Sequence, residues 1–527
     1  MKTAASENWI ISKPVVTAAG GIVVSQHYEA SQVGASVLTQ GGNAVDAAIA
    51  ASMALGVVEP WMSGVGGCGN LLVYQARENR TYAIGCGVRA PLSLDVDRYA
   101  LVGGQDNDLF AWPAVVDDRN VYGPESVAVP GLVAGLGLAL KRFGSCSWTS
   151  LLSPAIELAN RGLVVDWYSS LKIASAARHL ADFADSAGCF LPNGHVPIAE
   201  WGGSPPLLDQ RALAGTLVQL AEQGPGAFYR GSLARKLVRA AHTVGIPLTD
   251  DDLAGYVPSE SVVVDFPYRD VQISAAPGMT AGSTLCRALD ALQSDPPPLV
   301  DVGDTAHAYI RYAACLQDAY AYRLAHDGDM PEGSIPSCTT HLNVIDRDGN
   351  VVSLTQTLLS IFGSKVVLPE TGVLMNNGIM WFDPRPGRAN SIAAGKWPLS
   401  NMCPVIVHHA NGDKTALGAS GGRRIMPAVF QLISFLVDAG MSLADAMHWP
   451  RIDVSGSDLV SLDDRLDPVV RASIRSQWPV RTVGHGVYPS LFACPSVARM
   501  ERHRGRTSGV AYVLSPLSAA IAEEQVK

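Results

Sequence analysis

The run Ser337-Cys338-Thr339-Thr340-His341 carries the side chains best suited to chemistry. A threonine hydroxyl is a poor nucleophile unless a base stands beside it. One way to supply the base is to make the threonine N-terminal, because its own α-amine, with a pKa of about 7.7–8.0, then takes the hydroxyl proton at neutral pH. Inside a chain that amine exists only after the bond between Cys338 and Thr339 is cut. Thr339 Oγ can make the cut itself by attacking the Cys338 carbonyl, which gives an ester that water hydrolyses. Position 338 then needs only a small residue. Taken alone, a Thr-Thr pair ahead of a strand is ordinary, since β-branched residues favour strands. A second segment changes its meaning. Gly418-Ala419-Ser420-Gly421-Gly422-Arg423-Arg424 is a turn after an apolar stretch. Successive glycine N–H groups form a concave anion nest. Aimed at a carbonyl oxygen, such a nest is an oxyanion hole, worth roughly 3–4 kcal/mol per donor removed.

These groups need a scaffold. Residues 29–58 read as two helices broken at Gly41-Gly42-Asn43, a helix stop followed by a helix start. A glycine-rich turn at 64–69 leads into a strand at 71–74, and 90–124 reads as loop. A helix follows Val129-Pro130-Gly131, and 149–256 is mostly helical with polar breaks. The stretches 292–305 and 326–337 are rich in Pro, Gly and Asp, and the second is expected to be a flexible, exposed approach to Thr339. Beyond it, 340–346 and 350–358 are strand-like and flank a hairpin turn at Asp346-Arg347-Asp348-Gly349. Further strands are expected in 366–377 and 403–409, and a helix in 428–440. Strands bracketed by helical runs point to a sheet covered by helices. A linker that ends at the first residue of a strand suits self-cleavage, because the new terminus stays fixed while the loop swings away.

Composition excludes several function classes. The 527-residue chain is 48% hydrophobic and 17% charged, enough for a buried core and too little charge for disorder. Its net charge of −9 gives no basic field for nucleic acid. No run reaches the roughly 18 consecutive apolar residues of a spanning helix, and the N-terminus lacks a signal-peptide pattern. No membrane partner and a cytoplasmic location are therefore expected. The nine cysteines are scattered and never form C-x-x-C, which argues against a disulfide framework and a zinc site. No metal and no cofactor are expected.

Two look-alikes fall away. Gly64-Val65-Gly66-Gly67-Cys68-Gly69 satisfies G-x-G-x-x-G but lies between a helix and a strand, the reverse of a dinucleotide site. A tight turn with close backbone packing explains it. Asp346-x-Asp348-x-Asn350 begins like a calcium loop, yet Val351 and Thr357 stand where glycine and glutamate are needed.

The chain resembles the γ-glutamyltransferase family of N-terminal nucleophile hydrolases. The motifs that carry the resemblance run in order from about residue 15 to residue 455. They include Gly41-Gly42-Asn43-Ala44-Val45-Asp46-Ala47-Ala48, Gly56-Val57-Val58-Glu59-Pro60, Ser63-Gly64-Val65-Gly66-Gly67 and Thr339-Thr340-His341. Thr355-Gln356-Thr357-Leu358, Asn376-Asn377 and Gly421-Gly422 with Arg424 continue the match. The resemblance implies an α+β fold, a four-layer αββα sandwich, formed by one precursor cleaved into residues 1–338 and 339–527 that remain associated as one body. It implies that Thr339 is the nucleophile, that Thr357 hydrogen-bonds and tunes it, and that the Gly421 and Gly422 N–H groups hold the oxyanion. Homo-oligomerisation stays open.

The departures bear on substrate. Family transpeptidases have Asn after the T-x-T-L run, where this chain has Leu359, and N-N-x-M-D-D, where it has Asn376-Asn377-Gly378-Ile379-Met380-Trp381. Gly378 and Trp381 offer no side-chain acceptor for a substrate α-ammonium. Leaving that ammonium buried and unpaired costs roughly 3–5 kcal/mol. A γ-glutamyl substrate is disfavoured accordingly. The usual Ser-Ser pair becomes Ser400-Asn401 and stays polar, so these two join Asn377 and Trp381 as candidate substrate contacts. For a substrate carboxylate the candidates are Arg89 and Arg98, with no basis for choosing between them. The pattern suits a small amide acid. The branch with Trp381-Phe382-Asp383-Pro384-Arg385-Pro386-Gly387 is similar to acylases and to members that hydrolyse oxamate. Oxamate is the leading expectation; a glutaryl- or cephalosporin-type acylase, or a γ-glutamyl hydrolase or transpeptidase, is the alternative.

Overall fold

A computed structural model describes residues 12–105, 112–294, 302–327, 339–484, 486–488 and 491–526. Two seven-stranded sheets dominate it. In chain order their strands are β1 (Val16–Ala18), β2 (Ile22–Ser25), β3 (Cys68–Gln75), β4 (Arg80–Cys86), β5 (Ser259–Val262), β6 (Val264–Tyr268) and β7 (Val271–Ala275). There follow β8 (Thr340–Ile345), β9 (Val351–Thr357), β10 (Val405–His409), β11 (Lys414–Ser420), β12 (Cys494–Glu501), β13 (Arg506–Ala511) and β14 (Ala519–Ala522). One sheet runs β1-β13-β12-β11-β10-β7-β6 and the other β14-β2-β8-β9-β3-β4-β5, antiparallel throughout.

Helices α1 (Tyr28–Thr39) and α2 (Ala44–Val58) belong to the layer on the outer face of the β8 sheet. Asn43 starts α2 by accepting from the Val45 and Asp46 N–H groups, and Asp46 reaches back to the Asn43 N–H, which closes a capping box. Ile49 of α2 packs with Leu342, Val344 and Leu354 of the sheet. On the far side α4 (Gly282–Gln293), α5 (Val302–His326) and α6 (Ile425–Val437) cover the β11 sheet, with Leu289, Tyr312 and Phe430 against Leu417. One further helix is α3 (Trp167–Leu180). The layers are thus helix, sheet, sheet, helix, the αββα sandwich. Between the sheets lie Ile22, Leu72, Ile406 and Ala416. Toward the start of β8 this apolar filling gives way to His341, Asn343, Ser353 and Thr355, all buried.

Most expected elements form. The β8–β9 turn is fixed by Asp346, whose carboxylate accepts from the N–H groups of Asp348 at 3.0 Å and Asn350 at 2.9 Å, and from Ala44 at the head of α2 at 2.9 Å. Its oxygens are used by the turn, as expected of a hairpin rather than a calcium loop. The glycine turn before β3 is a close backbone approach: a Cβ on Gly67 would lie 2.3 Å from the Thr357 carbonyl oxygen.

Three expectations change. Residues 366–377 are not strands; two isolated bridges form there, Val367 with Leu374 and Met375 with Gly66. Left-handed backbone at Lys365, Glu370 and Gly372 prevents extension. The 90–124 loop contains a short hairpin of Leu101–Gln105 with Pro113–Val115. Helix α5 starts at Val302, inside the stretch expected to be irregular. The approach at 328–338, including Cys338, lies outside the described residues. Among the described residues no helix is long and apolar enough to cross a membrane.

Candidate active site

Thr339 stands at the head of β8, a strand held on both sides by β2 and β9. Register places Thr340 opposite Gln356 and His341 opposite Thr355. Alternation then sends Thr339, His341 and Asn343 into the inter-sheet layer and Thr340 toward α2. The Thr339 hydroxyl is buried and donates to Thr357 Oγ1 at 3.4 Å. Thr357 Oγ1 also accepts from the Leu359 N–H at 2.7 Å. Leu359 is in the left-handed region with φ 83°, a conformation that costs a residue with a Cβ about 1–2 kcal/mol. The strain aims its N–H at the hydroxyl that meets Thr339.

His341 is the buried neighbour that sequence reasoning quoted but gave no part. Burial pushes its imidazole down to about 4, so it is neutral at pH 7. Asn343 Nδ2 donates to the Ser496 carbonyl at 3.0 Å, which turns Asn343 Oδ1 toward His341 Nε2 at 3.1 Å. An amide oxygen only accepts, so Nε2 carries the proton and Nδ1 accepts from Thr355 Oγ1 at 2.8 Å. The ring lies against β11 of the facing sheet: a Cβ on Gly418 would be 2.3 Å from its Cε1. Only glycine lets the two sheets come this close.

Three residues after Gly418 comes the glycine pair. Gly421 has φ 135° and Gly422 φ 60°, and they open the turn that enters α6. A Cβ on Gly421 would be 2.8 Å from Ala493 Cα, so the position has no room for a side chain. Gln26, just past β2, donates from Nε2 to Ser420 Oγ and so ties the end of β11 to the strand beside β8. The glycine pair and Thr339 therefore share one end of the sandwich. Arg424 follows, its Nε 3.9 Å from the Asp453 carboxylate, with both groups buried.

The substrate candidates divide. Ser400 and Asn401 are buried, and neither Ser400 Oγ nor Asn401 Nδ2 has a hydrogen-bond partner among the described residues. Arg323 of α5 donates to the Ser400 carbonyl at 2.8 Å and to that of Thr280 at 3.0 Å, fixing the loop. Ser400 and Trp381 line a cavity of about 530 Å³ with Asn70, Val88, Met279 and Trp397. Asn70 lies two residues along β3 from Cys68, the register partner of Thr357. A larger and more open cleft, about 800 Å³, runs along the Asp346–Asn350 turn at the opposite end of β8, so size alone does not select the site.

Asn377 has a different place. Its Nδ2 donates to the Val121 carbonyl at 2.6 Å and to Ser360 Oγ at 2.7 Å, and its Oδ1 accepts from the Ser360 N–H at 3.0 Å. These bonds use the amide to pin the loop after β9. Gly378 has no room for any side chain, since a Cβ there would be 2.5 Å from that of Ala128. The two arginines are also engaged elsewhere. Arg89 donates to the carbonyls of Asp252 at 3.0 Å and Gly255 at 3.1 Å. Arg98 is half exposed and paired with Glu125 at 2.7 Å. The bonds that the structure gives the two arginines run to these groups. The arginines placed beside the glycine pair are Arg423, 5.5 Å over the Trp112 ring, and Arg424. Their position right after Gly421-Gly422 was the available signal.

Comparison with known proteins bears on this geometry. The family model described as gamma-glutamyltranspeptidase matches residues 30–337 and 321–478. The glutathione hydrolase proenzyme of Bacillus subtilis (strain 168) is 31% identical over 497 residues, covering 84% of this chain and 81% of that protein. The acylase ACY 1 proenzyme of Pseudomonas sp. (strain V22) is 33% identical over 486 residues, covering 85% of each. Among solved structures, cephalosporin acylase from Bacillus halodurans superimposes with a TM-score of 0.84 at 24% identity, over 99% of both chains, which shows a shared fold.

Proposed function

Since the chain belongs to the gamma-glutamyltranspeptidase family and is a hydrolase of amide bonds, we propose that it is an acylase-type amidohydrolase that frees Thr339 by cutting its own chain. The relatives above are named as proenzymes, which supports that maturation. Residues 1–338 and 339–527 would remain together because β8 is inserted between β2 and β9, so separation would break a main-chain ladder. The observation that carries the proposal is the buried Thr339 hydroxyl 3.4 Å from Thr357 Oγ1 at the head of that central strand.

In the proposed cycle the Thr339 α-amine takes the proton from Oγ as Oγ attacks the amide carbonyl. The carbonyl oxygen becomes an oxyanion held by the Gly421 and Gly422 N–H groups. The amine returns the proton to the departing nitrogen, the C–N bond breaks, and an ester remains on Thr339. Water, deprotonated by the same amine, attacks the ester and releases the acid.

The acyl group is one without an α-ammonium, because Gly378 and Trp381 supply no acceptor for it. Ser400 Oγ and Asn401 Nδ2 are the groups we assign to the acyl end. A cavity of about 530 Å³ exceeds the need of oxamate, the smallest such amide acid. Thr339 does not line that cavity, and the acylase relatives are what support a longer acyl or leaving group of the glutaryl or cephalosporin type, with oxamate second. Mass spectrometry of the purified protein tests the maturation: a chain beginning at Thr339 supports it, and a single full-length chain refutes it. Acid release from glutaryl p-nitroanilide, ammonia release from oxamate and turnover of γ-glutamyl p-nitroanilide then rank the substrates. Fastest turnover of the γ-glutamyl compound would refute the loss of the ammonium site.

A further inference from the structure

Thr339 and the glycine pair stand on different sheets, so the distance between them depends on what joins the sheets. Much of that joint is apolar, as at Ile22, Leu72, Ile406 and Ala416. Apolar contact resists separation but has no direction, so it does little to stop one sheet sliding over the other. Gln26 supplies a directional tie. It lies two residues past Val24, the register partner of Asn343, on the side toward the head of β8. The side chain is buried, and its Nε2 donates to two groups of the facing sheet, Ser420 Oγ and the Cys494 carbonyl, the second at 3.3 Å. A carbonyl only accepts, so the amide nitrogen and not its oxygen must face this rung. Ser420 and Cys494 are register partners, the last rung of the β11–β12 ladder before Gly421. Both lead to that glycine. Ser420 precedes it in the chain, and Ala493, just before Cys494, is the wall that a Cβ on Gly421 would meet at 2.8 Å. Arg451 Nη2 donates to the Ala493 carbonyl at 3.0 Å, so the wall is itself fixed.

We propose that Gln26 is a positioning residue for the reaction: by clamping the Ser420–Cys494 rung to the sheet that carries Thr339, it sets the height of the Gly421 and Gly422 N–H groups over the Thr339 hydroxyl. The inference rests on the Thr339 reading. Gln26 touches no reacting atom and acts through Ser420 and Gly421. The oxyanion exists only once Oγ has attacked, so a misplaced glycine pair weakens the transition state and leaves the bound substrate as it was. Loss of the clamp therefore appears in kcat and not in KM. A role confined to stability would appear in melting and leave turnover per cut chain unchanged.

The experiment measures kcat and KM per chain beginning at Thr339, counted by intact mass, with glutaryl p-nitroanilide, oxamate or γ-glutamyl p-nitroanilide, whichever is turned over fastest. Gln26→Met keeps the length of the side chain and removes both donated bonds. Its kcat is expected to fall about ten- to a hundredfold with KM within about threefold, since a misplacement of about 1 Å costs about a hundredfold. Ser420→Ala removes one acceptor and is expected to lower kcat in the same way by about three- to tenfold, because the bond to Cys494 remains. In the Ser420→Ala background Gln26→Met should cost less than in the wild type, since the two share a bond. Ile406→Val thins the apolar joint instead; it should lower the melting temperature and leave kcat within about twofold. A Gln26→Met enzyme with kcat within twofold of the wild type overturns the proposal. So does an equal cost in both backgrounds, or an Ile406→Val loss of kcat as large as that of Gln26→Met. Where Gln26→Met is not cut, Ser420→Ala decides by the same split of kcat from KM. A wild-type chain that is never cut instead refutes the Thr339 reading.

Discussion

Gly418→Ala probes the closest approach between the two sheets. The added methyl would lie 2.3 Å from His341 Cε1 and 2.6 Å from Nε2, where ordinary contact begins at 3.4 Å. The ring cannot yield easily, since Thr355 holds one nitrogen at 2.8 Å and Asn343 the other at 3.1 Å. Either the imidazole turns and gives up both bonds, about 1 kcal/mol each, or β11 moves away from β8 by about 1 Å. Overpacking of this kind costs about 1–3 kcal/mol, and losing both bonds as well brings the upper limit to about 5 kcal/mol. For a chain of 527 residues the unfolding entropy is about 1 kcal/mol per degree, so the melting temperature should drop by about 1–5 °C. The functional loss should be larger. β11 carries the glycine pair and β8 carries Thr339, and misplacing reacting groups by about 1 Å costs about a hundredfold in rate. Calorimetry and the rate of appearance of the chain beginning at Thr339 measure the two effects. In a His341→Ala background the clash is gone, so Gly418→Ala should cost far less there. A Gly418→Ala protein that melts within 1 °C of the wild type and is processed within threefold of its rate would show that the sheets are not held in register by this contact.

Other outcomes follow from the same geometry. Thr357→Val removes the acceptor for both Thr339 and the Leu359 N–H, leaving a buried donor unpaired at about 1–3 kcal/mol, and should slow self-cleavage about ten- to a hundredfold by intact mass. Arg323→Met leaves the Ser400 and Thr280 carbonyls unpaired, so steady-state kinetics with the best substrate should show KM rising more than kcat falls. Burial lowers His27, His341, His408 and His409 to about 4, so the unfolded chain binds more protons than the folded one between pH 4 and 6.5. Stability should therefore fall as pH drops through that window, by about 3 kcal/mol for the fully buried His341 alone, read from urea midpoints against pH. Glu59 acts in the opposite sense: its folded pKa, about 8, exceeds its unfolded value, so its contribution declines as pH rises from about 4.5 to 8, and Glu59→Gln should raise stability at pH 7 by about 3 kcal/mol.

What could be read from the sequence, and what could not, divides along physical lines. The placement of Thr339, Thr357, Gly421 and Gly422 was legible because it depends on residue type and backbone: a hydroxyl at the head of a strand, a second on the strand beside it, and two glycines in positive-φ backbone. The strands β8 and β9 and the capped helix α2 were legible because local rules set them, alternation in one case and the Asn43–Asp46 box in the other. Arg89 and Arg98 were a different kind of inference. A long cationic side chain near the right segment takes whichever acceptor the fold brings within reach, and here those are the carbonyls at Asp252 and Gly255 and the carboxylate of Glu125. Asn377 shows the same thing for an amide, whose bonds go to Ser360 in the loop after β9 and to the Val121 carbonyl.

The strand expected in 366–377 failed for a related reason. Its valines and leucines are buried, as their type demands, but left-handed turns at Phe362, Gly363, Lys365, Glu370 and Gly372 fold the segment back on itself. Gly363 shows why only this path is open: a Cβ there would be 2.3 Å from the Met375 carbonyl oxygen. The Asn376 amide then joins the folded loop to the Gly66 carbonyl at 2.7 Å and the Ala128 carbonyl at 2.9 Å. Apolar content determined that the segment is inside, while the special backbone positions determined its shape. The same division explains Glu59. A motif that ends α2 with Glu-Pro marks a helix stop, but that its carboxyl comes to rest buried follows only from packing α2 on the sheet, which no local pattern encodes.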